Sequence, residues 1–232
     1  MGRRGFTLIE IMVVIGIILL LASVLLVSFT GVFSKSKAAQ TTATIETLKS
    51  GVEGYQTRWG RPPPSNLHDL GILARYPSLA DPNNRNVGIE TLVLALRSKL
   101  EQGPYMDGPL MQDDKRRTNL DADSTMEEVA APEFLDLEEG SSLDLFEIVD
   151  AWGNPLVYID TTTLMQGNFQ YDVTLANGET TTINATEAQD ALRHPTTGQF
   201  PTGYVIWSFG EDGINNYGRG DDITSWPKYD DE

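Results

Sequence analysis

The sequence predicts an α+β fold in which one long N-terminal helix, apolar in its first half and amphipathic in its second, packs on a small antiparallel β-sheet. Three observations predict it. Glu10 is the one ionisable side chain in 6–33, and no proline occurs before Pro62, so nothing interrupts a helix over that length. Short β-branched or aromatic runs bounded by turn residues fill the C-terminal part.

The apolar run comes first. At about 1.5 Å per residue, a helix over 6–33 is roughly 40 Å long, which is enough to cross a bilayer. A carboxylate inside such a segment is costly and needs a partner. Cleavage after Gly5 would place a new α-amino group on Phe6, about one turn from Glu10, and a neighbouring subunit's amino group could pair with the acid. From 34 to 60 the helix is expected to continue. Ala38, Thr41, Ile45, Leu48, Val52, Tyr55 and Trp59 recur at three- and four-residue steps and form one packing stripe. Pro62, Pro63 and Pro64 then end it.

The middle, 61–145, reads as a connecting region with a short helix over 87–100 and an acidic surface insertion over 107–140, poor in aromatics. Asp113, Asp114, Asp121 and Asp123 in the insertion can bind calcium. However, Asp121-Ala122-Asp123-Ser124 lacks the glycine and terminal glutamate of an EF-hand loop, and a solvated acidic loop is the favoured reading. The last part, 146–232, carries strand-like runs at 145–149, 156–159, 171–175, 180–183 and 204–208. Asn177-Gly178 marks 171–183 as a hairpin, because both residues tolerate positive φ. In Asp150-Ala151-Trp152-Gly153-Asn154-Pro155, Gly153 and Asn154 supply a bend and Asp150 accepts local backbone hydrogen bonds.

Arg3-Arg4-Gly5-Phe6-Thr7-Leu8-Ile9-Glu10 strongly resembles the type III signal of type IV pilins and their pseudopilin relatives. The segments 150–158 and 208–226 resemble those of the major pseudopilin of type II secretion. This resemblance implies a type IV pilin-like fold. It also implies a leader, 1–5, cut between Gly5 and Phe6 by a prepilin peptidase that N-methylates Phe6, and an assembly role for Glu10. The function it implies is that of a structural subunit, anchored in the bacterial inner membrane by one span, with its C-terminal domain in the periplasm. That subunit would polymerise with itself into the type II secretion pseudopilus and meet minor pseudopilins and the inner-membrane assembly platform. A type IV pilus subunit and a non-polymerising membrane-anchored calcium-binding protein are the alternatives.

The same resemblance places a structural calcium site at Asp212, Asp221 and Asp222, with a solvated acidic turn as the alternative. Calcium takes six to eight oxygen ligands, and glycine-rich loops let carbonyls turn inward. Arg219 is a departure, a cation beside the acids.

Composition narrows the function classes. With 33 acidic and 17 basic residues the net charge is −16, which disfavours nucleic acid, whose binding needs Lys and Arg. No cysteine is present, which excludes disulfides and thiolate metal sites. His68 and His194 stand alone, and no nucleophile elbow, phosphate loop or dinucleotide fingerprint occurs, so an enzyme is not expected.

Overall fold

The computed structural model describes residues 7–70, 83–106, 108–112, 115–123 and 144–228, with the side chains of 24–30, 100 and 109 left aside. The leader with Gly5 and Phe6, much of the acidic insertion, and Asp113 and Asp114 lie outside the described residues. The chain divides into two compact units, Met1–Lys37 and Ala38–Glu232.

Helix α1 runs over Leu8–Trp59. Its start is a reciprocal cap. The Glu10 carboxylate accepts from the Thr7 backbone N–H at 2.8 Å and from the Thr7 hydroxyl at 2.9 Å, while the Glu10 N–H donates to that hydroxyl oxygen at 3.4 Å. Thr7-x-x-Glu10 is thus a capping box, which satisfies donors that the first helical turn leaves without partners. Glu10 therefore has a role within its own chain.

Among the described residues no helix is long and apolar enough to cross a membrane. After Phe33 the helix becomes polar at Ser34, Lys35, Ser36 and Lys37. This corrects the expected transmembrane helix over 6–33, and with it the pilin-like fold class. Single-pass inner-membrane placement and polymerisation into a secretion filament through that segment fall with it. So do the pilus-subunit and membrane-anchored alternatives, which need the same span.

The second unit is built on the expected stripe. Thr41, Ile45, Leu48, Val52 and Tyr55 are buried, and Trp59 at the helix end is partly exposed. Opposite them lies α2 (Val87–Arg97), whose Ile89, Leu92 and Leu96 join Tyr158 and Ile206 in one core cluster. Fully burying a side chain of this size contributes about 1.5–3 kcal/mol, so this seam is a main source of cohesion. The proline segment is tied in as well: the Tyr158 hydroxyl donates to the Pro63 carbonyl, and Ser65 donates through its N–H and hydroxyl to Asp160.

Among the described residues, the expected single sheet is instead three small antiparallel ones. Strands β1 (Arg117–Thr118) and β2 (Glu147–Ile148) make the first, preceded by a short helix α3 (Pro109–Gln112). The second has β6 (Tyr204–Ser208) at its centre, between β3 (Val157–Asp160) and β7 (Ile223–Thr224). The third is the hairpin of β4 (Gln170–Thr174) and β5 (Thr180–Asn184), turning at Asn177 and at Gly178, whose φ is 83°. Two short helices, α4 (Thr161–Gln166) and α5 (Ala185–Leu192), follow β3 and β5. Their N-caps are Asp160, accepting from the Thr163 N–H, and Asn184, accepting from the Glu187 N–H. Leu164 and Leu192 from these helices bury with Val173, Ile183, Trp207 and Phe209 in a second core cluster.

Candidate metal centre

Glu90 lies in the first turn of α2 and is fully buried. The residue before the helix, Asn86, sits in the left-handed region at φ 51° and is also buried. Its side-chain amide donates to Glu147 at 2.7 Å, and its carbonyl accepts the Thr174 N–H at 3.0 Å. These two bonds fix α2 between β2 and β4, and so fix Glu90 at their junction.

The other acids arrive from the loop after β1. Ala122 has φ 57°, which turns the chain between Asp121 and Asp123. The Asn83 amide donates to both carboxylates, at 3.2 Å and 2.9 Å, and the Asp123 N–H donates to the Asn119 side-chain carbonyl at 3.0 Å. One carboxylate oxygen from each of Glu90, Asp121 and Asp123 then falls within 4.8 Å of the others. At an effective dielectric near 20, each pair of unit charges at that separation repels by on the order of 3 kcal/mol. A divalent cation among them removes that repulsion. The donors are all oxygen, which suits the hard cations calcium and magnesium rather than softer metals. This cluster can therefore coordinate a divalent metal.

Glu147 stands behind it. Its carboxylate, fully buried in β2, accepts the Leu120 N–H at 3.0 Å and the Asn86 amide. Burial pushes its pKa up to about 7 against the pull of these hydrogen bonds, and Asp121 adds a like charge. An acid with a raised folded pKa gives stability that is present below its unfolded value and is lost as pH rises through the folded one. In chelator, the melting temperature should therefore fall between pH 5 and pH 8, and Glu147→Gln should make that slope shallower, leaving the part due to Asp222. A pH profile identical in the variant would remove Glu147 as its source.

The acids expected from sequence to bind calcium are placed differently. Asp221 Oδ2 accepts the N–H groups of Glu211 and Asp212, at 2.7 Å and 3.0 Å. Asp212 Oδ1 accepts the Ile214 N–H at 2.8 Å, and Asp222 Oδ2 accepts those of Asn216 and Gly218 at 3.1 Å and 2.8 Å. Their carboxylates thus pin the 209–222 loop, and among the described residues they do not converge as the Glu90 triple does. Asp222 is fully buried, its Oδ1 has no hydrogen-bond partner among the described residues, and burial raises its pKa to about 7.

Sequence reasoning named Asp121 and Asp123 but missed Glu90. The signal available was a glutamate among the apolar positions of α2, at a place the helical stripe turns inward.

Residues 1–26 match the family described as the prokaryotic N-terminal methylation motif. No curated protein and no solved structure matches the chain. The chain carries an N-terminal methylation motif typical of type IV pilin-like proteins and pseudopilins.

Proposed function

We propose that this chain is an N-terminally processed and methylated relative of the major pseudopilins of type II secretion, with a non-catalytic, calcium-binding second unit. The observation that carries the proposal is the methylation motif over residues 1–26, in which Gly5 directly precedes Phe6. The partner that follows is a peptidase of the prepilin type, which would cut between those residues and methylate the new amino group. The content of the proposal is kinship and processing, with no filament attached to it.

Calcium is the finer reading of the acidic cluster. Magnesium demands a tighter octahedron and gives up its water reluctantly, whereas calcium accepts irregular carboxylate sets such as Glu90, Asp121 and Asp123. The histidines support a non-catalytic role. His194 Nδ1 accepts the N–H groups of Thr196 and Thr197, and His68 lies exposed beside Asp69.

The test is mass spectrometry of the chain co-expressed with a prepilin peptidase. The expected mature protein begins at N-methyl-Phe6, and Gly5→Val retains Met1. An intact Met1 on the unaltered chain, or a cut near Ser34, would sink the proposal.

A further inference from the structure

The second unit carries a cleft of about 850 Å³ that the methylation motif and the acidic cluster do not use. Arg193, His194, Arg219 and Lys228 line it together with Tyr217 and Trp226, and among the described residues Asp190 is the one acid on its walls. In a chain with about twice as many acids as bases, this is a concentration of positive charge against the trend. Neither Arg193, Arg219 nor Lys228 forms an ion pair among the described residues. Lys228 acts on the Asp222 carboxylate from beyond ion-pair distance, and none of the three cations is closed off by a direct contact with a carboxylate among the described residues.

The walls are held in place. The Arg193 guanidinium lies over the Phe200 ring, 4.6 Å from its centroid, and donates to the Gly198 carbonyl at 3.1 Å. Two such contacts orient a planar fork that retains further donors. Lys228 Nζ donates to the Gly220 carbonyl at 2.8 Å. With Nδ1 of His194 accepting backbone N–H groups, the neutral ring carries its proton on Nε2. Trp226 is braced edge-on against Trp207 and packs so closely on Gly218 that a Cβ there would lie 2.5 Å from the indole.

The geometry points to a binding site for a short acidic peptide segment of a partner protein, its carboxylates held by Arg193, Arg219 and Lys228 and an apolar side chain set against Tyr217 and Trp226. Clusters of arginine are a recurring means of reading acidic motifs, because the guanidinium matches the carboxylate fork. The net charge of −16 sets the length of the ligand. A long polyanion would run out of the cleft onto acidic surface, whereas a few residues stay within about one Debye length, roughly 10 Å, of the cations. The volume lies within the range usual for ligand pockets. This inference stands independently of the proposed processing and of calcium.

The test is fluorescence anisotropy of a labelled peptide, acetyl-Glu-Phe-Glu-Glu-amide, titrated with the full chain. Its counterpart with lysine for glutamate serves as control. Saturable binding of the acidic peptide alone is expected, weakening as salt rises. Arg193→Gln with Arg219→Gln should weaken it about tenfold or more. Lys228→Gln, near the end of the described chain, provides a second variant if the first pair folds poorly, and should also weaken binding. Absence of saturable binding, equal binding of the lysine peptide, or affinity unchanged in the folded variants would overturn the proposal. Displacement by equimolar inorganic phosphate would overturn it too, by making the cleft a site for free anions.

Discussion

Millimolar calcium is expected to raise the melting temperature of the full chain relative to chelator, and the increment should belong to Glu90, Asp121 and Asp123. A ligand that binds only the folded state stabilises it by RT ln(1 + [L]/Kd), about 2.7 kcal/mol at one hundred times Kd. Because the triple joins the first turn of α2 to the loop after β1, filling it ties two parts of the unit that Asn83 otherwise bridges. Asp121→Asn with Asp123→Asn should abolish the increment. It should also raise stability in chelator, since two like charges beside Glu90 are gone. Asp212→Ala should leave the calcium increment in place, because that carboxylate caps the Ile214 N–H and lies outside the triple. Thermal melts of the three proteins with and without chelator decide it. An increment that survives the double change and vanishes with Asp212→Ala would return calcium to the C-terminal loop.

Gly88→Ala should destabilise the second unit more than any exposed substitution. A Cβ at residue 88 would lie 2.1 Å from the Tyr158 carbonyl oxygen, so α2 and β3 must move apart. Overpacking a closed seam costs typically 1–3 kcal/mol, and a backbone atom as the obstacle puts this case near or above about 3 kcal/mol. Gly54→Ala is the matched contrast. That glycine is exposed on α1, and its added methyl would meet only the Tyr105 carbonyl at 3.7 Å, so helix propensity alone should gain about 0.5–1 kcal/mol. Urea unfolding of both variants measures the difference. Equal midpoints would show that α2 and β3 are not packed as described.

What could be read from sequence was local. The stripe from Thr41 to Tyr55, the Asn177-Gly178 turn and the Asp150 bend each depend on residues a few places apart. In the last of these, Asp150 Oδ1 accepts the Trp152 and Asn154 N–H groups at 2.8 Å and 3.0 Å. Helices α4 and α5 are also locally encoded, as Asp160 and Asn184 each cap a residue three places on, but both helices are short and follow directly on β-branched strand runs, which mask their own periodicity. From sequence Glu10 reads as an acid in lipid, while its reciprocal bonds to Thr7 show the same spacing serving as a helix cap. Glu90 belongs to another category. Its partners lie more than thirty residues along the chain, and no periodicity carries that distance. The resemblance of the C-terminal segments points to Asp212, Asp221 and Asp222, each of which has one oxygen accepting backbone N–H groups of the 209–222 loop.

Asp222 has a further consequence through the loop it anchors. The N–H groups it holds belong to Asn216 and Gly218, and its own N–H donates to the Arg219 carbonyl at 3.1 Å. The loop thus fixed supplies Tyr217 and Arg219 to the cleft. A proton or cation arriving at Asp222 and an anion arriving at Arg219 therefore act on one stretch of backbone. Thermodynamic reciprocity then requires that whatever factor the first applies to the affinity of the second, the second returns to the first. Titrating the cleft thus becomes a way of reading the state of a carboxylate that solvent cannot reach.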